Sequence, residues 1–67
     1  MRVFRINAVG KDGRAVVLGT TDTAAQALAY IRDAYADYPR AWVTDEQDMD
    51  VSLGDLMRLA GEEQNNR

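Results

Sequence analysis

Residues 3–20 read VFRINAVGKDGRAVVLGT, two runs of β-forming residues (3–9 and 14–20) on either side of Gly10-Lys11-Asp12-Gly13. An Asp-Gly pair between such runs is a strong hairpin signal, because turns that match the twist of paired strands need a residue at positive φ. In the first run Phe4, Ile6 and Ala8 alternate with Val3, Arg5, Asn7 and Val9, which assigns the first set to the core. If Lys11-Asp12-Gly13 is a three-residue loop with Gly13 in the left-handed region, Val16 and Leu18 share the buried side with Phe4 and Ile6; a two-residue turn reassigns them.

Downstream of the hairpin, Thr23-Ala24-Ala25-Gln26 has the form of a capping box, in which the Thr23 hydroxyl accepts from the Gln26 N–H and the Gln26 side chain reaches back. Asp22 suits the positive end of the helix dipole. Ala24, Ala27, Leu28, Ile31, Ala34, Tyr35 and Tyr38 follow at three- and four-residue steps and form one apolar stripe. Pro39 ends the helix, since the residue before a proline is pushed out of the α region.

Ala41-Trp42-Val43-Thr44 reads as a third strand, and Asp45-Glu46-Gln47-Asp48-Met49-Asp50 as a carboxylate-rich connection. Ser52 is then the N-cap of a short helix with Asp55 in its first turn, Leu53, Leu56, Met57 and Ala60 on its apolar face, and Gly61 at its end. The order is β-β-α-β-α. A helix between strands two and three makes those two parallel, so strand three pairs antiparallel to strand one. The predicted fold is an α+β two-layer sandwich: a three-stranded antiparallel sheet in order 2-1-3, covered by one long helix, with a short C-terminal helix. Residues 1–61 form a single domain and 62–67 a frayed polar tail.

A chain of 67 residues supports one small core, with little stability to spare. It has no cysteine and no histidine, which removes disulfides, the usual zinc, haem and iron–sulfur ligands, and thiol nucleophiles. Charged residues interrupt the N-terminal apolar residues, and no run of apolar residues reaches membrane-spanning length, so a cytoplasmic protein without membrane contact is expected. A net charge of −3 argues against a protein that neutralises several phosphates. The charge is unevenly spread: residues 1–32 hold five basic and two acidic groups, residues 33–67 three arginines and nine acids. Such asymmetry can orient a partner or pair two copies head to tail.

Chemistry-bearing clusters are few. Asp45, Glu46, Asp48, Asp50 and Asp55 gather five carboxylates with no cation among them. An EF-hand loop starting at Asp45 would need glycine at Asp50 and glutamate at Leu56; one starting at Asp48 would need them at Leu53 and Leu59. Both registers fail, and no metal or cofactor is expected. Ser52 is the only serine and lacks a histidine base, so no catalytic residue is assigned and no enzyme activity is expected. Arg2, Arg5 and Arg14, with Asn7 and Lys11, fall on the hairpin face away from the first helix, yet no aromatic interleaves there to stack bases. Nucleic-acid binding by this basic hairpin face is therefore the weaker alternative.

The stretch Gly19 to Ala34, with Thr23-Ala24-Ala25-Gln26-Ala27-Leu28 after a hairpin, resembles the strand-to-helix junction of HicB-type antitoxin domains. The hairpin–helix–strand order also resembles small phage-encoded inhibitors of host defence, some anti-CRISPR proteins among them. That second resemblance implies a mobile-element inhibitor of a nucleic-acid-binding defence complex. Neither assigns a residue. The reading reached from the residues is a non-enzymatic interaction module that binds or occludes a protein partner, with a homodimer as one arrangement. The surfaces expected to bind are Asp45, Glu46, Asp48 and Asp50 in the acidic loop, together with Trp42 and Tyr30.

Overall fold

A computed structural model of the chain describes residues 3–65. The elements are β1 (Phe4–Val9), β2 (Ala15–Thr21), α1 (Ala24–Asp37), β3 (Arg40–Thr44), β4 (Asp50–Val51) and α2 (Leu53–Asn65). The sheet is antiparallel with order β2-β1-β3-β4. Its first three strands match the expected 2-1-3 arrangement. The fourth strand corrects the three-stranded reading.

The two hairpins share one turn geometry. At β1–β2 the Gly10 N–H donates to the Arg14 carbonyl and the Gly13 N–H to the Gly10 carbonyl, with Gly13 at φ 82°. At β3–β4 the Asp45 N–H donates to the Met49 carbonyl and the Asp48 N–H to the Asp45 carbonyl, with Asp48 at φ 65°. Both are three-residue loops whose last residue is left-handed, the conformation expected for Gly13. An aspartate tolerates that region better than most residues, because its short side chain can hydrogen-bond locally.

Register across the first hairpin holds from Val9↔Ala15 to Asn7↔Val17 and then shifts, so that Ile6 faces Gly19. The extra residue is Leu18, a β-bulge that bends the edge strand. Leu18 packs partly against the core as expected, whereas Val16, set opposite Ala8 on the same side, stays 45% exposed.

Helix α1 starts as its sequence dictates: the Thr23 hydroxyl accepts from the Gln26 N–H at 3.1 Å. Gln26 makes no return bond to Thr23 among the described residues. Two further free N–H groups, those of Ala24 and Ala25, donate instead to the carboxylate of Glu63 at 2.6 and 3.2 Å. Tyr38 is extended before Pro39, which ends the helix where the proline requires. Ala24, Ala27, Ile31 and Ala34 are buried, Leu28 and Tyr38 pack at the margin, and Tyr35 departs from the expected stripe at 48% exposed.

The second helix is longer than its sequence suggests. Ser52 caps it, accepting from the Asp55 N–H at 3.1 Å, but the helix continues through Gly61 to Asn65. A glycine ends a helix only where the backbone turns left-handed, and Gly61 does not. Residues 62–65 of the expected tail are thus helical, and Glu63 fastens them to the start of α1; residues 66 and 67 lie outside the described residues. Leu56 is fully buried, with Leu59 and Ala60 packed beside it, so both helices share one core with Phe4, Ile6, Ala8, Ala41 and Val43.

Candidate functional site

Because both helices lie on the side of Phe4, Ile6 and Ala8, strand alternation turns Arg5, Asn7 and Val9 to the opposite side. Pairing extends that face across the sheet. Val17 stands opposite Asn7 on β2; Arg40, Trp42 and Thr44 stand opposite Val9, Asn7 and Arg5 on β3; Asp50 stands opposite Thr44 on β4. No helix among the described residues covers this face.

Its centre is polar and internally satisfied. Asn7 donates from Nδ2 to the Thr44 hydroxyl at 3.1 Å and to the Arg5 carbonyl at 3.2 Å, and both Asn7 and Thr44 are buried. A buried amide left without partners would cost about 1–3 kcal/mol, so these bonds favour the observed register of β1 against β3. Trp42 is half-buried beside Asn7, and with Val9, Arg40 and Asp50 it lines a shallow hollow of about 360 Å³. Val17, 57% exposed, adds a second apolar group across β1.

No protein-family model, curated protein or solved structure matches this chain. The functional reading therefore rests on the residues and their geometry.

The acidic loop is partly engaged within the fold. Asp45 accepts at one carboxylate oxygen from the Gln47 and Met49 N–H groups, both at 2.9 Å, and so shapes the turn. Glu46 accepts from the Val3 N–H at 3.4 Å. Asp48 pairs with Arg5 at 3.4 Å, joining the loop to the basic hairpin on the uncovered face. Asp50 is exposed and borders Trp42. Of the residues singled out in the sequence, Trp42 and Asp50 share one hollow, and Asp48 meets Arg5 on the same side of the sheet. Tyr30 does not join them. It stands on α1 beside the edge strand β2, on the helical side, with its hydroxyl donating to the Leu18 carbonyl at 2.8 Å.

The basic hairpin face also differs from its reading. Arg5 lies on the uncovered side as expected, Arg14 is drawn toward Asp12 at the hairpin tip, and Arg2 lies outside the described residues. The expectation that no aromatic shares this face is corrected, because the β1–β3 register puts Trp42 on it, between Arg40 and Thr44 along β3 and diagonal to Arg5. Arg40 was missed altogether. The two-residue spacing Arg40, Trp42, Thr44 carries the signal, but it becomes readable only once β3 is known to begin at Arg40.

Among the described residues no three aspartate or glutamate side chains converge where one metal ion could be held. No helix there is long and apolar enough to cross a membrane.

Proposed function

We propose that the chain is a non-enzymatic protein-binding module that docks through the uncovered face of its sheet. Trp42 is the anchor, and Arg5, Arg40, Asp48 and Asp50 form a rim of mixed charge. The observation that carries this reading is that both helices pack on one side, leaving Trp42, Val9 and Val17 on a face that no helix covers among the described residues. Tryptophan and arginine dominate the energetics of protein interfaces, and a rim of both signs matches a protein surface better than a chain of phosphates. The partner's complementary surface has an apolar hollow for Trp42 and a carboxylate for Arg40. Capture from lysate of the source organism with the tagged chain, repeated with Arg40→Glu and Trp42→Ala, tests it. One partner held by the parent chain and lost with both variants is the expected result. Equal recovery by Arg40→Glu, whose side chain is exposed, removes this face from the reading.

A second reading has its own observation: Trp42 shares the face with Arg5 and Arg40, the combination on which single-stranded nucleic acid stacks and pairs. The net charge of −3 weighs against it. A gel shift with single-stranded DNA and RNA at low salt, lost on Trp42→Ala, supports the nucleic-acid reading; no shift eliminates it.

A further inference from the structure

We infer that the crevice between α1 and the free edge of β2 is a second binding surface, one that takes an extended segment of a partner protein carrying lysine or arginine side chains, laid beside β2 as a fifth strand. It is separate from the Trp42 face and stands without it.

The sheet has two outer strands, β2 and β4. β4 has two residues, one of them Asp50, whereas β2 has seven, Ala15–Thr21, without a charged side chain among them. An outer strand presents unpaired N–H and C=O groups, and proteins ordinarily blunt such an edge with charge, proline or a bulge. β2 has only the bulge at Leu18, leaving Ala15–Val17 and Thr20–Thr21 as pairing stretches on either side. An edge of this kind beside a helix suits strand addition, in which main-chain bonds supply affinity and flanking side chains supply selectivity.

The flanking wall selects the occupant. Two hollows, of about 430 and 310 Å³, run along the crevice from Thr21 to Tyr38 and meet at Tyr30 and Asp33. Asp33 lines both and Asp37, one helical turn on, lines the second. Among the described residues neither carboxylate makes an ion pair, and Arg32, next to Asp33 in sequence, is not part of the lining. The Tyr30 hydroxyl, bonded to the Leu18 carbonyl, joins α1 to β2 at the bulge, between the two pairing stretches. A strand placed there thus has an uncharged edge on one side and two unpaired carboxylates on the other. A second copy of this chain fits poorly: antiparallel pairing of β2 with β2 puts both α1 helices on the same side of the joined sheet, bringing Asp33 and Asp37 of the two copies together. Basic side chains from a different protein meet these carboxylates with opposite charge.

The test titrates the isotopically labelled full chain with two short blocked peptides, one alternating lysine and valine, the other glutamate and valine, and follows backbone amide shifts. The lysine peptide is expected to saturate below about 1 mM and to move amides of Ala15–Thr21 and Gln26–Asp37, while the glutamate peptide does not bind. Asp33→Lys with Asp37→Lys is expected to weaken binding roughly tenfold or more, and Arg40→Glu to leave it unchanged. Both aspartates are exposed, so circular dichroism should show these variants folded. Absence of binding, equal binding of both peptides, or shifts centred on Trp42 overturns the inference. So does a dimer in sedimentation whose β2 amides are protected from exchange.

Discussion

A Cβ on Gly19 would stand 2.8 Å from the hydroxyl oxygen of Tyr30 and 3.1 Å from its ring. The tyrosine can lie so close to the sheet only because the strand has no side chain there, and its hydroxyl reaches the Leu18 carbonyl for the same reason. The atoms in the way belong to the outer end of an exposed side chain, so Gly19→Ala should displace the Tyr30 ring and break its bond to the Leu18 carbonyl, at a cost of about 0.5–1.5 kcal/mol. Tyr30→Phe should cost about 0.5–1.5 kcal/mol through the lost hydrogen bond. Since both changes act on one contact, the double variant should be less destabilised than the sum of the two. Urea unfolding of the four proteins measures all three quantities, and strict additivity would show that Tyr30 and Gly19 are not coupled.

Glu63 joins the end of α2 to the start of α1, accepting from two N–H groups that have no partner within their own helix. Its carboxylate also meets the positive end of the α1 dipole. Glu63→Gln removes the charge and replaces one of the two accepting oxygens with an NH2 that cannot accept, with an expected loss of about 0.5–1.5 kcal/mol. Glu63→Ala removes both acceptors and should cost about 1–2 kcal/mol. A chain ended after Gly61 should lose at least as much as Glu63→Ala. Chemical denaturation of the three forms checks this, and a truncated chain as stable as the parent would show that the last turn of α2 adds nothing.

Asp48 occupies the left-handed region that Gly13 occupies in the other hairpin. The Arg5–Asp48 pair is exposed, so it contributes little, about 0–1 kcal/mol. Asp48→Gly therefore exchanges a weak ion pair for a relaxed backbone, and its stability should lie within about 1 kcal/mol of the parent. Asp48→Val, which brings a β-branched side chain to positive φ, should cost about 1–2 kcal/mol more than Asp48→Gly. Thermal melts rank the two, and equal stability would mean that the turn does not hold position 48 at positive φ.

These two hairpins show what was legible in the sequence. Gly13 announces the first turn, since glycine is the common residue at positive φ, whereas Asp48 performs the same task in a run of polar residues that reads as a loop. The first helix was legible from Thr23 to Pro39 because its cap, stripe and stop are all local. The end of α2 was not, because the group that secures it is a set of backbone N–H donors on another helix. Trp42 was legible as a large side chain and not as part of the face it occupies, which depends on the β1–β3 register. Tyr30 was read with Trp42 as one surface, and only the packing of α1 beside β2 separates them.

Gly61 lies within α2, exposed, with nothing within 4 Å of the place a Cβ would take. Its backbone is helical and its φ is not positive, so neither strain nor close packing calls for glycine here. Glycine inside a helix costs about 0.5–1 kcal/mol relative to alanine, because the unfolded chain has more freedom to lose. Gly61→Ala should therefore stabilise the protein by about that amount. In a domain of this size 1 kcal/mol corresponds to a rise of about 4–8 °C in Tm. The gain should depend on Glu63, because the last turn of α2 stays helical only while its end is fastened to α1. In a Glu63→Ala background Gly61→Ala should still favour the helix but raise Tm by less, as the frayed turn then contributes less to the cooperative unit. Melts of the two single variants and the double variant decide this, and an equal rise in both backgrounds would show that residues 61–65 fold independently of their contact with α1.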